Sequence, residues 1–111
     1  MTTRATRTFI AQRASAVLLL PFVIWVVWSL AALAGAEPSR MRAWLAEPVT
    51  AVLFAAFIVI SAFHMRIGLA EIIEDYVHSG AKGVFMTLNW LAAIAVGAAA
   101  IYAAYALAFS S

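Results

Sequence analysis

Four residues in the second half of the sequence have the types and spacing to support redox or proton chemistry. His64 lies in a strongly apolar stretch, Gly68 follows four residues later, and Asp75 and Tyr76 follow eleven and twelve residues after the histidine. In an α-helix, at about 100° per residue, Asp75 projects within about 20° of His64 and roughly 16 Å further along the axis. The pattern predicts one helix face with an imidazole at depth and a carboxylate near the helix end.

Spacing alone leaves more than one role open for each of these residues. An imidazole inside a membrane helix can ligate a haem iron, relay protons or bond to a neighbouring helix. Gly68 would let a flat macrocycle approach the backbone, although glycine in membrane helices also serves close packing. Tyr76 alone is typical of an interfacial aromatic anchor. Beside Asp75, its phenol can instead donate a hydrogen bond to a carbonyl while the carboxylate supplies protons.

The elements that position these residues are apolar helices. Of 111 residues, 67% are hydrophobic and 11% are charged, whereas soluble proteins carry about 25% charged residues. Crossing the roughly 30 Å bilayer core takes about 20 residues, and three apolar runs are at least that long, at about 14–36, 48–76 and 84–109. We therefore predict an all-α integral membrane protein with three transmembrane helices, forming a single domain over residues 1–111.

The basic residues predict the orientation of these helices. Five lie at one end of the predicted bundle and two at the other: Arg4, Arg7, Arg13, Arg66 and Lys82 against Arg40 and Arg42. Because basic residues accumulate on the cytoplasmic side, we expect the N-terminus and the 70–83 loop in the cytoplasm or the mitochondrial matrix. The net charge of +2 is too small and scattered for a nucleic-acid partner. Without cysteine, the chain cannot itself carry an iron–sulfur cluster.

The segment HMRIGLAEIIEDYV, residues 64–77, resembles the signature of the D-type membrane anchor of succinate dehydrogenase, the respiratory complex II. That signature is a helix-borne His, a Gly four residues later, and an Asp-Tyr pair eleven and twelve residues later. The length, the three-span layout and the basic N-terminus are also similar. The Ser-Pro-His run typical of the other membrane anchor, the C-type, is missing near the first helix, which favours the D-type.

The resemblance implies a role for each site residue. His64 would be an axial ligand to a b-type haem held between this chain and the C-type anchor, which also has three helices. Tyr76 would bind a ubiquinone carbonyl, and Asp75 would shape and protonate the same site. Arg13 resembles a basic residue placed near the haem propionates, although positive-inside flanking explains it equally well. Arg66 projects about 200° from His64, so it should snorkel to the interface or reach a propionate.

The resemblance also implies a place in the tricarboxylic acid cycle and in electron transport. Electrons from succinate would pass through a flavoprotein subunit and an iron–sulfur subunit to ubiquinone in the membrane. This chain would anchor those subunits and would have no catalytic activity alone. We expect a multi-pass protein of the bacterial inner membrane rather than the mitochondrial inner membrane, because no transit segment rich in Arg and Ser precedes the first span.

Two other functions are compatible with the residues alone. An intramembrane histidine can belong to a small transporter or a proton-conducting subunit, although the first and third spans offer His64 no ionisable partner at depth. The chain could also be a structural assembly protein, in which the polar cluster has no chemical role. His78 lies beyond the second span and is expected in solvent or at a subunit contact.

Overall fold

The computed structural model describes residues 3–110, which fold into four helices. These are α1 (Arg4–Leu33), α2 (Pro38–Ala46), α3 (Pro48–Tyr76) and α4 (Lys82–Ala108). Helices α1, α3 and α4 are long and apolar enough to cross a membrane, and residues 3–110 contain no strand. The prediction of an all-α protein with three membrane-spanning helices is therefore confirmed.

Helices α1 and α3 each begin where a side chain satisfies a free backbone N–H group. Thr3 caps α1 by accepting a hydrogen bond from the N–H of Thr6, at 3.1 Å. Glu47 caps α3 by accepting from the N–H of Thr50 at 2.9 Å, and Pro48 then occupies the first turn, where a missing N–H costs little. The bond from the Thr50 N–H holds the pKa of the Glu47 carboxyl below its ordinary value, because it favours the charged form.

The observed helices differ from the predicted apolar runs in two places. Helix α1 begins at Arg4, well before the apolar run starts at residue 14, and it contains Pro21. The polar connection between the first two spans contains α2, which begins at Pro38. Gly35, in the turn between α1 and α2, has a φ of +81°, a conformation that glycine adopts without a steric penalty.

A cluster of aromatic rings packs α2 against the second half of α1 and the first turns of α3. The ring of Trp44 on α2 lies 5.8 Å from that of Trp25 on α1 and 6.1 Å from that of Phe54 on α3, measured between centroids. Phe57 and Phe22 extend the cluster along α3 and α1. Aromatic pairs at these distances add about 0.5–1.5 kcal/mol each beyond their buried area.

Helix α3 is the central element, since it packs against each of the other three helices. Helix α4 lies close to it at Gly97, where a Cβ would be in ordinary van der Waals contact with Val59, at 3.8 Å. Most large apolar side chains on the outer faces are exposed, for example Val17, Ile24 and Trp28 on α1. Lipid or another membrane subunit can cover such surfaces without the cost they would have in water. The bundle measures 49 × 27 × 25 Å, longer than the roughly 30 Å hydrocarbon core.

Candidate functional site

His64 lies at the interface between α1 and α3, where its side chain makes a hydrogen bond across the two helices. Its Nδ1 atom is 2.9 Å from the Oγ atom of Ser15 on α1. Ser15 is 4% exposed, and its hydroxyl also donates to the carbonyl oxygen of Gln12 at 3.0 Å. The imidazole is therefore fixed through one ring nitrogen, while Nε2 lies on the other side of the ring.

A partly open cavity of about 250 Å³ borders this histidine. It is lined by residues from both helices: Phe9, Gln12, Arg13, Ala16, His64 and Glu71. The Gln12 Oε1 atom is buried and has no hydrogen-bond partner within residues 3–110. Buried side-chain oxygens nearly always have a partner, so this amide is available to a group that enters the cavity.

Gly68 lies on the same side of α3 as His64, against α1. A Cβ at Gly68 would lie 3.3 Å from the Nε2 atom of Gln12, so the missing side chain leaves room for that amide. The shared face predicted for His64 and Gly68 is thus directed towards α1. The space beside Gly68 is therefore occupied by the side chain of Gln12.

Arg13 supplies positive charge at the mouth of the cavity. Its guanidinium carbon lies 5.1 Å from the centre of the Phe9 ring, and the side chain is exposed. It also borders a wider, apolar groove of about 580 Å³ on the outer face of α1, formed with residues such as Val17 and Leu18. Glu71 brings a carboxylate to the same cavity from α3. The cavity therefore combines an imidazole, a guanidinium, an amide and one acidic group.

Asp75 and Tyr76 lie at the last turn of α3, apart from this cavity. Both side chains are exposed, Tyr76 at 79%, and neither makes a hydrogen bond to another side chain or backbone group of residues 3–110. The helix carries them roughly 16 Å beyond His64. The predicted site residues thus form two groups, with His64 and Arg13 at the cavity and Asp75 and Tyr76 at the helix end.

Arg66 faces α4, on the other side of α3 from the cavity. Its guanidinium carbon lies 3.9 Å from the centre of the Trp90 ring and 5.5 Å from that of Phe63. Asn89, which is 8% exposed, donates a hydrogen bond to the Arg66 carbonyl at 2.8 Å. Arg66 therefore contributes to packing between α3 and α4, while His78 is exposed in the loop after α3.

The sequence model of the family described as the succinate dehydrogenase/fumarate reductase transmembrane subunit matches residues 3–107. The chain belongs to this family. The match spans all three membrane helices, so the chain is a membrane subunit of an oxidoreductase complex that contains other subunits. Searches of curated proteins and of solved structures returned no match. The resemblance seen in the sequence is confirmed for the family.

Membership of the family gives context to His64, the histidine that lies within the membrane helices of residues 3–110. Within residues 3–110, no three side chains among His, Asp and Glu come together as a metal-binding group. His64 is thus a single nitrogen donor beside the partly open cavity.

Three polar residues of this subunit were not predicted to act at the site or between helices. Ser15 and Gln12 belong to the surroundings of His64, and Asn89 links α3 to α4. All three are polar side chains within or at the edge of an apolar helix. Such a side chain costs free energy in a membrane unless it has a hydrogen-bond partner. This polarity marks the residues, but a single sequence does not tell which helix each one faces.

Proposed function

We propose that this chain is the D-type membrane anchor of a succinate dehydrogenase. In this proposal His64 binds the iron of a b-type haem, and Tyr76 and Asp75 form one wall of a ubiquinone site. Together with the C-type anchor, a second three-helix protein, the chain holds a flavoprotein subunit and an iron–sulfur subunit at the membrane. The observation that carries the proposal is His64, which is fixed through Nδ1 beside a cavity that extends between α1 and α3.

The residues around His64 fit one side of a haem. The Nε2 atom is the ring nitrogen left for a ligand bond, and the guanidinium of Arg13 suits a propionate. The cavity, at about 250 Å³, is smaller than ordinary ligand pockets of roughly 300–1,000 Å³. The chain would therefore enclose one edge of the macrocycle, and the second anchor would cover the remainder and supply the other axial ligand. When bound, the haem would accept and return single electrons.

The end of α3 fits a quinone site shared with other subunits. Tyr76 is 79% exposed, so its hydroxyl is free to donate to a quinone carbonyl without breaking a bond within residues 3–110. Asp75 is the adjacent carboxylate and can pass protons to the reduced quinone. Because neither side chain is enclosed by this chain, the other walls must come from partner subunits.

The distribution of charge supports a location of this site on the cytoplasmic side of the membrane, or on the matrix side if the membrane is mitochondrial. Helix order places the N-terminus and the loop between α3 and α4 at the same end of the bundle, which carries five of the seven basic residues. Basic residues of this kind favour the cytoplasmic side. Electrons from the soluble subunits would then arrive at the end of the bundle that carries Asp75 and Tyr76.

The proposal can be tested on the complex purified in mild detergent from its native membrane. We expect a flavoprotein, an iron–sulfur protein and a second small membrane protein to accompany the chain, with a haem spectrum in the reduced-minus-oxidised difference. His64→Ala should lower the haem content or alter that spectrum. His78→Ala, which changes an exposed histidine outside the helix, is the matched control and should leave both unchanged.

Two results would contradict parts of this proposal. A His64→Ala complex with the haem content and spectrum of the wild type would exclude ligation by His64. A wild-type chain that purifies without haem, flavoprotein or iron–sulfur protein would favour a transporter or an assembly protein, since those functions require none of these partners.

A further inference from the structure

The two hydrogen bonds of Ser15 can form together only when Nδ1 of His64 carries a proton. A serine hydroxyl has one proton to donate and can accept through its lone pairs. The carbonyl oxygen of Gln12, at 3.0 Å, can only accept, so the Ser15 proton is directed there. The remaining contact, between Oγ and Nδ1 at 2.9 Å, is then a bond from an Nδ1–H group to the serine oxygen.

We propose that Ser15 is a positioning residue that holds His64 in the Nδ1–H tautomer and presents Nε2 as the iron-binding atom. This inference rests on the proposed function of His64 as a haem ligand. The hydrogen bond made by one ring nitrogen decides which nitrogen is free for a metal. Ser15 is 4% exposed, so water has little access to replace it as the acceptor.

The same bond fixes the direction of the ring as well as its tautomer. Ser15 lies on α1 and His64 on α3, 49 residues later in the chain. A ring held from another helix cannot rotate about its Cβ–Cγ bond without breaking that contact. Gln12 contributes through its backbone carbonyl, which accepts the hydrogen bond from the serine hydroxyl, and through its side chain, which packs over Gly68.

An acceptor on Nδ1–H also tunes the imidazole as a ligand. Such a bond increases the basicity of the opposite nitrogen, and a more basic ligand stabilises ferric over ferrous iron. Removal of the serine oxygen should therefore make His64 a poorer donor. The expected consequence is a shift of the haem midpoint potential to a more positive value.

The test compares Ser15→Ala, Ser15→Thr and His64→Ala in the purified complex. The readouts are haem content, the midpoint potential from a redox titration, and the electron paramagnetic resonance spectrum of the ferric haem. Ser15→Ala should shift the potential positively and change the ferric spectrum. Ser15→Thr keeps a hydroxyl that can bond to the preceding turn and should restore values near those of the wild type. Ser29→Ala, on the same helix about 21 Å away, is the control.

Each outcome separates this inference from the proposed function. If His64→Ala alters the haem but Ser15→Ala leaves the potential and the ferric spectrum unchanged, His64 is the ligand and the role of Ser15 is wrong. If Ser15→Ala loses its haem, restoration by Ser15→Thr supports the role, and an equal loss in Ser15→Thr overturns it. If His64→Ala leaves the haem unaltered, the proposed ligand is wrong and the role of Ser15 is wrong with it.

Discussion

Tyr76→Phe isolates a single hydroxyl at the proposed quinone site. The side chain is 79% exposed, and its hydroxyl makes no hydrogen bond to the rest of residues 3–110. Its removal leaves no buried group unsatisfied and creates no cavity in this chain. The stability of the subunit should therefore be unchanged, and any effect on turnover must come from the lost contact with a bound molecule.

The size of that effect follows from the value of one neutral hydrogen bond. Such a bond contributes about 0.5–1.5 kcal/mol, and each 1.4 kcal/mol corresponds to about a tenfold change. We therefore expect the quinone reductase activity of Tyr76→Phe, measured as kcat/KM for a water-soluble ubiquinone analogue, to fall roughly 2- to 12-fold. Oxidation of succinate by a soluble dye that takes electrons before the membrane should be unaffected.

The control is Tyr102→Phe, which removes the hydroxyl of another exposed tyrosine. Tyr102 is 72% exposed and lies about 30 Å along α4 from Lys82, towards the opposite end of the bundle. Its substitution should change neither activity. Equal loss of the dye and quinone activities in Tyr76→Phe would indicate faulty assembly, and unchanged quinone kinetics would remove Tyr76 from the site.

Three further predictions concern the positions that hold the site together. Asn89→Leu removes an interhelical hydrogen bond worth about 0.6–1.7 kcal/mol in a membrane. It should lower the thermal stability of the purified complex, whereas Thr87→Val, which removes a bond within α4 alone, should have a smaller effect. Gly68→Ala should be tolerated, because the flexible amide of Gln12 can move from 3.3 Å. Gly68→Leu should lower the haem content per flavin, because the larger side chain must displace Gln12, which lines the cavity. The lowered pKa of Glu47 means that its stabilisation is present above its ordinary pKa and is lost as the pH falls through the lowered value. The stability advantage of the wild type over Glu47→Gln in thermal unfolding should accordingly shrink in acid, and an advantage independent of pH would contradict this reasoning.

The sequence was sufficient for the class of fold and for the face of α3 that carries His64. Membrane helices are predictable because the bilayer sets both their length and their composition. Helical periodicity also placed Gly68 with His64 and Arg66 on another side. Both relationships lie within one helix, where the backbone geometry is fixed by local hydrogen bonds.

Contacts between helices could not be predicted from the sequence, for a physical reason. The partners of His64 and Arg66 lie on α1 and α4, and the rotation of one helix relative to another depends on the fit of many small contacts. Helix α2 is outside the predicted runs because its nine residues of mixed polarity carry no membrane-spanning signal. Its aromatic contact through Trp44 is likewise visible only once three helices are packed together.

The bond between Ser15 and His64 also has a consequence for biogenesis. Its two ends are 49 residues apart, so α1 emerges from the ribosome long before α3 is complete. A histidine on newly inserted α3 has no fixed tautomer until α1 docks beside it. If His64 binds haem as proposed, capture of the haem is therefore a late step that follows packing of α1 against α3.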